Sequence, residues 1–305
     1  MNPRIAVILP CYNEEAAIGL TVAGFRAALP DADIYVFDNN SSDRTIAVAE
    51  QAGALVRREP MQGKGNVVRR MFADIEADIY VMADGDATYD PTAAPEMIRR
   101  LQDEHLDMVV GARASEVEEA YRRGHRLGNR VLTGILARLF GRTFSDILSG
   151  YRVFSRRFVK SFPILSAGFE IETEISVHAL ELRMPVAEVV TQYGARPEGS
   201  ASKLSTYRDG WRILRTILTL FRIERPVLYF GSIGALLALL AVVLAVPLIV
   251  TYAQTGLVPR QPTAILITGL AIVACLCFFA GLILDTVVRG RREMRRLAYL
   301  ALPAV

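Results

Sequence analysis

Hydrophobic and polar positions form alternating blocks along the first two thirds of the chain. Four short apolar runs end in proline or in polar residues, as buried strands do. These runs are 4–10, 33–38, 78–84 and 107–113. Apolar residues recur at the helical period in the stretches between them, over 15–29, 44–51, 65–75 and 92–103. Near-continuously apolar strands that alternate with helices predict an α/β fold whose mostly parallel, Rossmann-like sheet is covered on both faces.

The last third of the chain has a different pattern. Residues 227–252 include no Asp, Glu, Lys or Arg, and residues 263–288 include only Asp285. Each stretch is long enough to cross a bilayer as a tilted helix, so we predict a two-helix transmembrane hairpin. Arg260 is the one charge between the spans, whereas five arginines follow the second. The positive-inside rule therefore predicts an integral protein of the cytoplasmic membrane, with its head and both termini in the cytoplasm.

Two further stretches combine arginines with apolar residues at helical spacing. The stretches 122–140 and 203–225 are typical of amphipathic helices that lie in the headgroup plane, and packing against the core is the alternative for both. The predicted organisation has five parts. They are a head domain at 1–202, an amphipathic juxtamembrane helix at 203–226, transmembrane helices at 227–252 and 263–288, and a basic cytoplasmic tail at 289–305.

Composition and charge exclude several classes. The hydrophobic fraction of 52% agrees with a membrane protein, and a net charge of only +3 argues against a nucleic-acid partner for the whole chain. The three cysteines do not form a disulfide framework, because Cys11 falls in a predicted loop and Cys275 and Cys277 fall in the second span. The N-terminus lacks the regions of a signal peptide, so the head is expected to stay in the cytosol.

The predicted strands are followed by polar and charged residues that can bind ligands. Ligands on such sheets bind beyond the carboxyl ends of the strands. Asp84 and Asp86 flank Gly85, so two carboxylates can face one hard cation while the glycine lets the backbone turn closely around a ligand. An ordinary turn is the alternative. Lys64 lies between two glycines where a helix begins, which suits a phosphate contact, and a solvated loop is the alternative.

Four motifs follow one another along the chain, three of them at predicted strand ends and one at the start of a predicted helix. They are Pro-Cys-Tyr-Asn-Glu-Glu at 10–15, Asp-Asn-Asn-Ser-Ser-Asp-Arg-Thr at 38–45, Gly-Lys-Gly at 63–65 and Asp-Gly-Asp at 84–86. Over residues 4–205 the chain resembles family 2 glycosyltransferases of the GT-A fold. Ser-Gly-Tyr-Arg at 149–152 and Gly-Phe-Glu-Ile-Glu at 168–172 are similar to the branch with dolichyl-phosphate mannose and glucose synthases and bacterial polyprenyl-phosphate glycosyltransferases. Two C-terminal membrane helices match the bacterial members.

The resemblance implies a donor site and a metal site. The residues expected at the nucleotide base and ribose are Pro10, Tyr12, Glu14 and Asp38. Lys64 and Asp84 would lie along the donor, and Asp86, with Asp84, would bind the Mg²⁺ or Mn²⁺ that bridges the diphosphate. Related synthases often have Gln two residues after the second Asp, whereas this chain has Thr88. The remaining metal ligands therefore stay open.

A phosphate acceptor needs positioned cations more than a general base, because its second pKa is near 6. The acceptor phosphate is expected to contact Arg113, Arg126, Asn129, Arg196 and Ser202. The predicted catalytic residues are Asp86, Arg113, Arg152 and Lys203. Residues 196–203 resemble the family's Arg-x-x-Gly-x-Ser-Lys loop with one residue inserted, and a solvated basic linker is the alternative. Glu172 is assigned a supporting role, and His178 is interpreted as a surface or packed residue.

The function implied by the resemblance is inverting transfer of one sugar from a nucleotide sugar to a polyprenyl phosphate at the cytoplasmic membrane face. The Asp-Gly-Asp-Ala-Thr-Tyr sequence at 84–89 slightly favours a UDP-sugar over GDP-mannose. One alternative is a membrane glycosyltransferase that acts on a saccharide acceptor. Another is a non-catalytic membrane scaffold with a nucleotide-binding head. The identity of the sugar and assembly as a homo-oligomer are left open.

Overall fold

The computed structural model describes residues 3–114, 134, 144–164, 166–168, 170–197, 215, 219, 221–223 and 225–303. The chain forms two compact units. The first comprises Met1–Ile213 together with Arg295–Val305, and the second comprises Leu214–Met294. The predicted amphipathic helices at 122–140 and 203–226 lie largely outside the described residues and stay predictions.

A single sheet organises the described part of the first unit. Its strands are β1 (Ile5–Cys11), β2 (Asp33–Asp38), β3 (Leu55–Arg58), β4 (Ile79–Met82), β5 (Met108–Ala114), β6 (Arg152–Ser155) and β7 (Val186–Gln192). Their order is β3-β2-β1-β4-β6-β5-β7. Strand β6 runs antiparallel to both of its neighbours, and every other pair is parallel. The predicted mostly parallel sheet is confirmed, and β3, β6 and β7 are strands that the sequence pattern did not predict.

Helices of the first unit pack their apolar sides on this sheet. They are α1 (Ile18–Ala28), α2 (Thr45–Gln51), α3 (Lys64–Asp74), α4 (Ala94–Asp103), α5 (Arg156–Ser161) and α6 (Ile171–Glu181). In α4 the buried side chains include Met97, Ile98 and Leu101, which recur at helical spacing. Full burial of such a side chain contributes roughly 1.5–3 kcal/mol. This core holds the carboxyl ends of β1, β2 and β4 in fixed positions.

The second unit contains two long apolar helices. They are α7 (Pro226–Thr255), with 30 residues, and α8 (Gln261–Leu300), with 40 residues. Both are long and apolar enough to cross a membrane, and they contain the predicted spans. A Cβ atom on Gly234 would lie 2.9 Å from the carbonyl oxygen of Ala274, so this glycine permits close packing of the two helices.

Helix α8 continues to Leu300, so the predicted basic tail is helical over most of its length. Its last residues belong to the first unit. Arg295 pairs with Glu181 at 2.7 Å, and the Tyr299 hydroxyl donates to Asp107 Oδ2 at 2.6 Å. The guanidinium of Arg157 lies 4.2 Å from the centre of the Tyr299 ring. These contacts join the chain terminus to the start of β5.

His178 of α6 is packed in the interior. This agrees with its interpretation as a packed residue and not with its interpretation as a surface residue. Its ring centroid lies 5.6 Å from that of Phe158 and 4.8 Å from that of Phe162, and neither ring nitrogen has a hydrogen-bond partner among the described residues. Burial, with a smaller contribution from the charge of Arg295, lowers the pKa of His178 to about 3. The ring is therefore neutral in the folded protein at neutral pH.

We expect His178 to make the protein less stable in mild acid. A histidine in the unfolded chain titrates near pH 6.5, so the unfolded state binds the proton first and stability falls as the pH drops from about 6.5 towards 3. His178→Phe is expected to reduce the loss of unfolding free energy between pH 6.5 and pH 5 by about 1.6 kcal/mol, measured by chemical denaturation. His105→Gln, at an exposed position, is the control. An unchanged pH slope in His178→Phe would contradict this account.

Candidate active site

The loops after β1 and β2 are joined by hydrogen bonds between backbone and side chains. The Asn13 amide donates to Ser41 Oγ, the Glu14 amide to Thr45 Oγ1 and the Ser42 amide to Asn13 Oδ1, each at 2.8 Å. Asn13 has a φ of 53°, in the left-handed region that asparagine tolerates better than most residues. The two predicted donor-binding motifs are thereby held together at one edge of the sheet.

Asp43 strengthens this connection. Its Oδ1 accepts from the amide and the hydroxyl of Thr45, and its Oδ2 accepts from the Glu15 amide. Burial alone raises the pKa of Asp43, but these donors outweigh it and hold the pKa below its ordinary value. The carboxylate therefore stays ionised and keeps accepting from both loops.

Asp38, at the end of β2, has one carboxylate oxygen available to a ligand. The residue is 2% exposed, and its Oδ2 accepts from the Ser41 amide at 3.2 Å. Its Oδ1 is buried and has no hydrogen-bond partner among the described residues. An unsatisfied buried acceptor is costly, so this oxygen is suited to an N–H or O–H donor from a bound molecule. In the parallel pairing of β1 with β2, Cys11 lies opposite Asp38. The exposed Tyr12, which follows Cys11, therefore lies near Asp38 at this edge of the sheet.

Two glycines that flank Lys64 make room for a neighbouring segment. A Cβ atom on Gly63 would overlap the Ala167 carbonyl oxygen, and one on Gly65 would overlap that of Ser166. The Gly65 amide donates to the Ala167 carbonyl at 3.0 Å. The Gly65 amide is therefore occupied by a backbone carbonyl.

Lys64 lies between two carboxylates. Its Nζ contacts Asp84 Oδ1 and Glu172 Oε1, and all three side chains are largely buried. Burial alone lowers the pKa of Lys64, but the charges of Asp84 and Glu172 raise it well above its ordinary value. A Cβ atom on Gly150 would lie 2.8 Å from Asp84 Oδ2, so the glycine of Ser-Gly-Tyr-Arg makes room for this carboxylate. Glu172 thus has the supporting position that the sequence analysis assigned to it.

Asp86 is held by Thr88 and Arg196. Its Oδ1 accepts from the Thr88 hydroxyl at 2.6 Å, and its Oδ2 lies 2.6 Å from Arg196 Nη2. Burial first, and then the charge of Asp84, raise the pKa of Asp86 against the opposing effects of Arg196 and Thr88. Thr88, where related synthases have Gln, orients the carboxylate. The pairing of Arg196 with the predicted metal ligand is a contact that the sequence analysis did not predict.

Gly85 has a packing role that the sequence analysis did not foresee. A Cβ atom on Gly85 would overlap Cys11 Sγ and lie 3.3 Å from Ile18 Cδ1. Cys11 is the last residue of β1 and is 3% exposed, so its predicted place in a loop is wrong. The glycine is required for the packing of β1 and α1 beneath the two aspartates.

Arg113 of β5 forms a bidentate ion pair. Its Nε and Nη2 donate to the two oxygens of Asp146 at 2.7 and 2.9 Å, and its guanidinium lies 5.4 Å from the centre of the Tyr193 ring. Glu188 accepts from the backbone amides of Ser145 and Asp146 and so fixes the segment that carries the partner. Asp146 was not predicted, because only its place three residues before Ser-Gly-Tyr-Arg distinguishes it in the sequence.

Arg152 has a structural position, and its catalytic role stays a prediction. The side chain is fully buried in β6, and its guanidinium donates to the carbonyls of Ser149, Ile147 and Glu172 at 2.9, 2.6 and 3.1 Å. Burial lowers the pKa of Arg152 to about 10 despite nearby negative charges. The guanidinium supports the loop before β6 and the start of α6. Four other predicted site residues lie outside the described residues: Arg126, Asn129, Ser202 and Lys203.

The donor set around Asp86 fits a metal ion that binds together with a diphosphate. Among the described residues, no group of three or more His, Cys, Asp or Glu side chains could hold a metal. Mg²⁺ is commonly bound through one or two protein carboxylates plus substrate phosphates. Asp86 and Asp84 can supply such a partial set, and the guanidinium on Asp86 marks a point where positive charge is stabilised.

The model of the family described as glycosyl transferase family 2 matches residues 6–162, more than half of the chain. The chain belongs to this family. Glycosyltransferase AglJ of Haloferax volcanii is 37% identical, over 75% of this chain and 76% of that protein. A dolichyl-phosphate hexose transferase of the same organism is 27% identical, over 72% of this chain and 95% of that protein.

Solved structures confirm the fold. Glucosyl-3-phosphoglycerate synthase from Mycobacterium tuberculosis, in complex with Mn²⁺, UDP-glucose and phosphoglyceric acid, superimposes with a TM-score of 0.59 at 25% identity. The match covers 72% of this chain and 79% of that one. The protein is therefore a family 2 glycosyltransferase with a GT-A fold and two long apolar C-terminal helices, as the sequence predicted.

Proposed function

We propose that this glycosyltransferase moves one sugar from a nucleotide sugar to a polyprenyl phosphate at the cytoplasmic face of the membrane, with inversion at the anomeric carbon. The observation that carries the proposal is the joint presence of two features. One is the pair of carboxylates at the sheet edge, half-buried Asp84 and buried Asp86, and the other is the two helices long enough to cross a membrane. The similarity to a dolichyl-phosphate hexose transferase supports a lipid phosphate as acceptor.

The donor is proposed to bind along the edge formed by β1, β2 and β4. Asp38 Oδ1 would accept a hydrogen bond from the base or ribose, and Tyr12 would contact the base from its exposed position. Pro10 and Glu14 complete this end of the proposed donor site. Lys64, with Asp84, would lie along the sugar diphosphate. The complex of the Mycobacterium tuberculosis synthase with UDP-glucose supports a UDP-sugar as donor.

The transfer requires a nucleophile, a stabilised leaving group and their alignment. An oxygen of the acceptor phosphate would form a bond to the anomeric carbon while the bond from that carbon to the diphosphate oxygen breaks. A divalent cation bound at Asp86, Mg²⁺ or Mn²⁺, would supply charge that stabilises the leaving diphosphate. Thr88 keeps Asp86 in its orientation, and Arg113 would position the acceptor phosphate. The acceptor is already ionised, so no protein side chain has to remove a proton.

The full-length protein in detergent provides a direct test. It would be incubated with Mn²⁺, undecaprenyl phosphate and one labelled UDP- or GDP-sugar at a time, and label in the organic phase would be counted. We expect one donor to give a lipid product whose NMR coupling shows a β linkage from an α-linked donor. Undecaprenol, which lacks the phosphate, is the matched control and should take no label. Label that moves only to a saccharide, or an α-linked lipid product, would contradict the proposal.

Arg113→Ala is expected to weaken use of the lipid acceptor strongly. A hydrogen bond to a charged group contributes roughly 1.5–3 kcal/mol, so kcat/KM for undecaprenyl phosphate should fall about 10- to 100-fold. Donor binding, measured by calorimetry without lipid, should change by no more than about threefold, or roughly 0.65 kcal/mol. Arg99→Ala, at an exposed ion pair of α4, is the control. Loss of donor binding in a folded Arg113→Ala protein would place this arginine at the diphosphate instead.

A further inference from the structure

The guanidinium of Arg196 occupies the Asp86 oxygen that is not taken by Thr88. Arg196 Nη2 lies 2.6 Å from Asp86 Oδ2, and Arg196 Nη1 lies 4.0 Å from Glu14 Oε1. Oδ1 of Asp86 accepts from the Thr88 hydroxyl at 2.6 Å. Both oxygens of the proposed metal ligand therefore have protein donors in this state. A cation can reach Oδ2 only if the arginine leaves it.

Backbone contacts place Arg196 at this position. The chain beyond β7 lies along the loop that follows β4, through an antiparallel bridge between Tyr89 and Tyr193 and a hydrogen bond from the Gly194 amide to the Thr88 carbonyl at 2.8 Å. The Asp86 side chain is 5% exposed, whereas that of Arg196 is 28% exposed. The carboxylate is thus fixed and enclosed, while the arginine has a path to solvent and can exchange partners.

Two physical effects act on Arg196. A buried carboxylate next to Asp84 is costly unless a positive charge compensates it, which favours the ion pair when no ligand is bound. A diphosphate presents pairs of anionic oxygens that the fork of a guanidinium can bind in a bidentate way, which a single carboxylate oxygen does not allow. A free metal ion offers the arginine no new partner, whereas a metal–nucleotide complex does.

We propose that Arg196 is a resident counter-cation that controls metal binding at Asp86. It competes with free divalent cations, and it is released to the diphosphate when metal and nucleotide bind together. Metal affinity is therefore low until a nucleotide is present. The inference rests on the proposed function in one respect, the assignment of Asp86 as a metal ligand, and it does not depend on the sugar or on the acceptor.

The test is calorimetric titration of full-length protein in detergent with Mn²⁺ alone, without donor or acceptor. Arg196→Gln removes the charge and should bind Mn²⁺ about tenfold more tightly than wild type, about 1.4 kcal/mol. Arg196→Lys keeps the charge and should remain within about threefold of wild type. Arg99→Gln controls for loss of an exposed arginine. Circular dichroism would verify that each variant is folded.

A second titration with Mn²⁺ in the presence of saturating UDP, and separately GDP, separates competition from a general change in charge. The tenfold advantage of Arg196→Gln should disappear, because wild type then gains a contact between the guanidinium and the diphosphate. Equal Mn²⁺ affinity of Arg196→Gln and wild type without nucleotide would overturn the inference, as would an advantage that persists unchanged with both nucleotides. Lack of Mn²⁺ binding in every variant would overturn the metal assignment as well. If the Mn²⁺ affinities follow the expected pattern but the wild-type protein transfers no sugar to the lipid, only the proposed function is contradicted.

Discussion

Asp86→Ala is expected to lower the rate of sugar transfer at least about 1,000-fold, or about 4 kcal/mol in activation free energy. The leaving diphosphate needs a hard cation, and Asp86 is the proposed carboxylate that holds it. The measurement is label transferred to undecaprenyl phosphate in the presence of Mn²⁺. Asp103→Ala, at an exposed ion pair on α4, is the matched control and should retain its activity.

Two results would contradict this assignment of Asp86. One is activity above a few per cent in a folded Asp86→Ala protein, and the other is full wild-type activity in EDTA. Because Asp86→Ala also leaves Arg196 without its carboxylate partner, thermal unfolding should be compared with wild type before the rates are interpreted. Asp86→Asn, which keeps the shape of the side chain and its hydrogen bond with Thr88, provides the conservative variant.

The strands that the sequence predicted are those that an apolar pattern can reveal. Strands β1, β2, β4 and β5 are buried on both faces, so near-continuous apolar runs mark them. Strand β3 is largely exposed and only four residues long, and β6 contains Arg152, so neither has that pattern. A buried arginine in a central strand is stable only because carbonyls from Ser149, Ile147 and Glu172 converge on it. Such convergence depends on tertiary structure and leaves no local pattern.

The sequence predicts where the site residues lie, because they follow the ends of predicted strands. It does not predict which side chains they pair with. Because ligands bind at the carboxyl ends of parallel strands, the sequence predicts that Asp38 and Asp86 lie at the same edge of the sheet. The strand order of the structure places both residues there. The partner of Asp86, Arg196, follows it by more than a hundred residues and reaches it through a bridge beyond β7. Lys64 likewise lies next to Glu172 because its flanking glycines pack against Ser166 and Ala167.

The contacts of the residues after 288 could not be predicted from the sequence either. The arginines after residue 288 indicate a solvated basic tail, and the sequence contains no pattern that pairs them with the head. In the structure Tyr299 donates to buried Asp107, which also contacts Arg157, and Arg295 pairs with Glu181. A run of charges in the sequence therefore indicates a basic segment and does not indicate which buried residues its members pair with.

Lys64→Met is expected to destabilise the protein by about 3–5 kcal/mol, because it leaves the buried Glu172 carboxylate and the half-buried Asp84 carboxylate without their shared cation. The Lys64 side chain is 10% exposed, and those of Asp84 and Glu172 are 29% and 6% exposed. For a unit of this size the expected fall in Tm is about 10 °C, measured by circular dichroism on full-length protein in detergent. Arg70→Met removes an exposed partner of Asp74 and should change Tm little.

The double variant Lys64→Met/Glu172→Gln distinguishes charge from shape. If uncompensated charge causes the loss, removal of one carboxylate charge should restore a large part of the stability, with a coupling free energy of about 1–3 kcal/mol in the double-mutant cycle. If lost packing of the lysine stem causes it, the two effects should add. A fall in Tm no larger than that of Arg70→Met would show that the carboxylates at the centre of the site do not need Lys64.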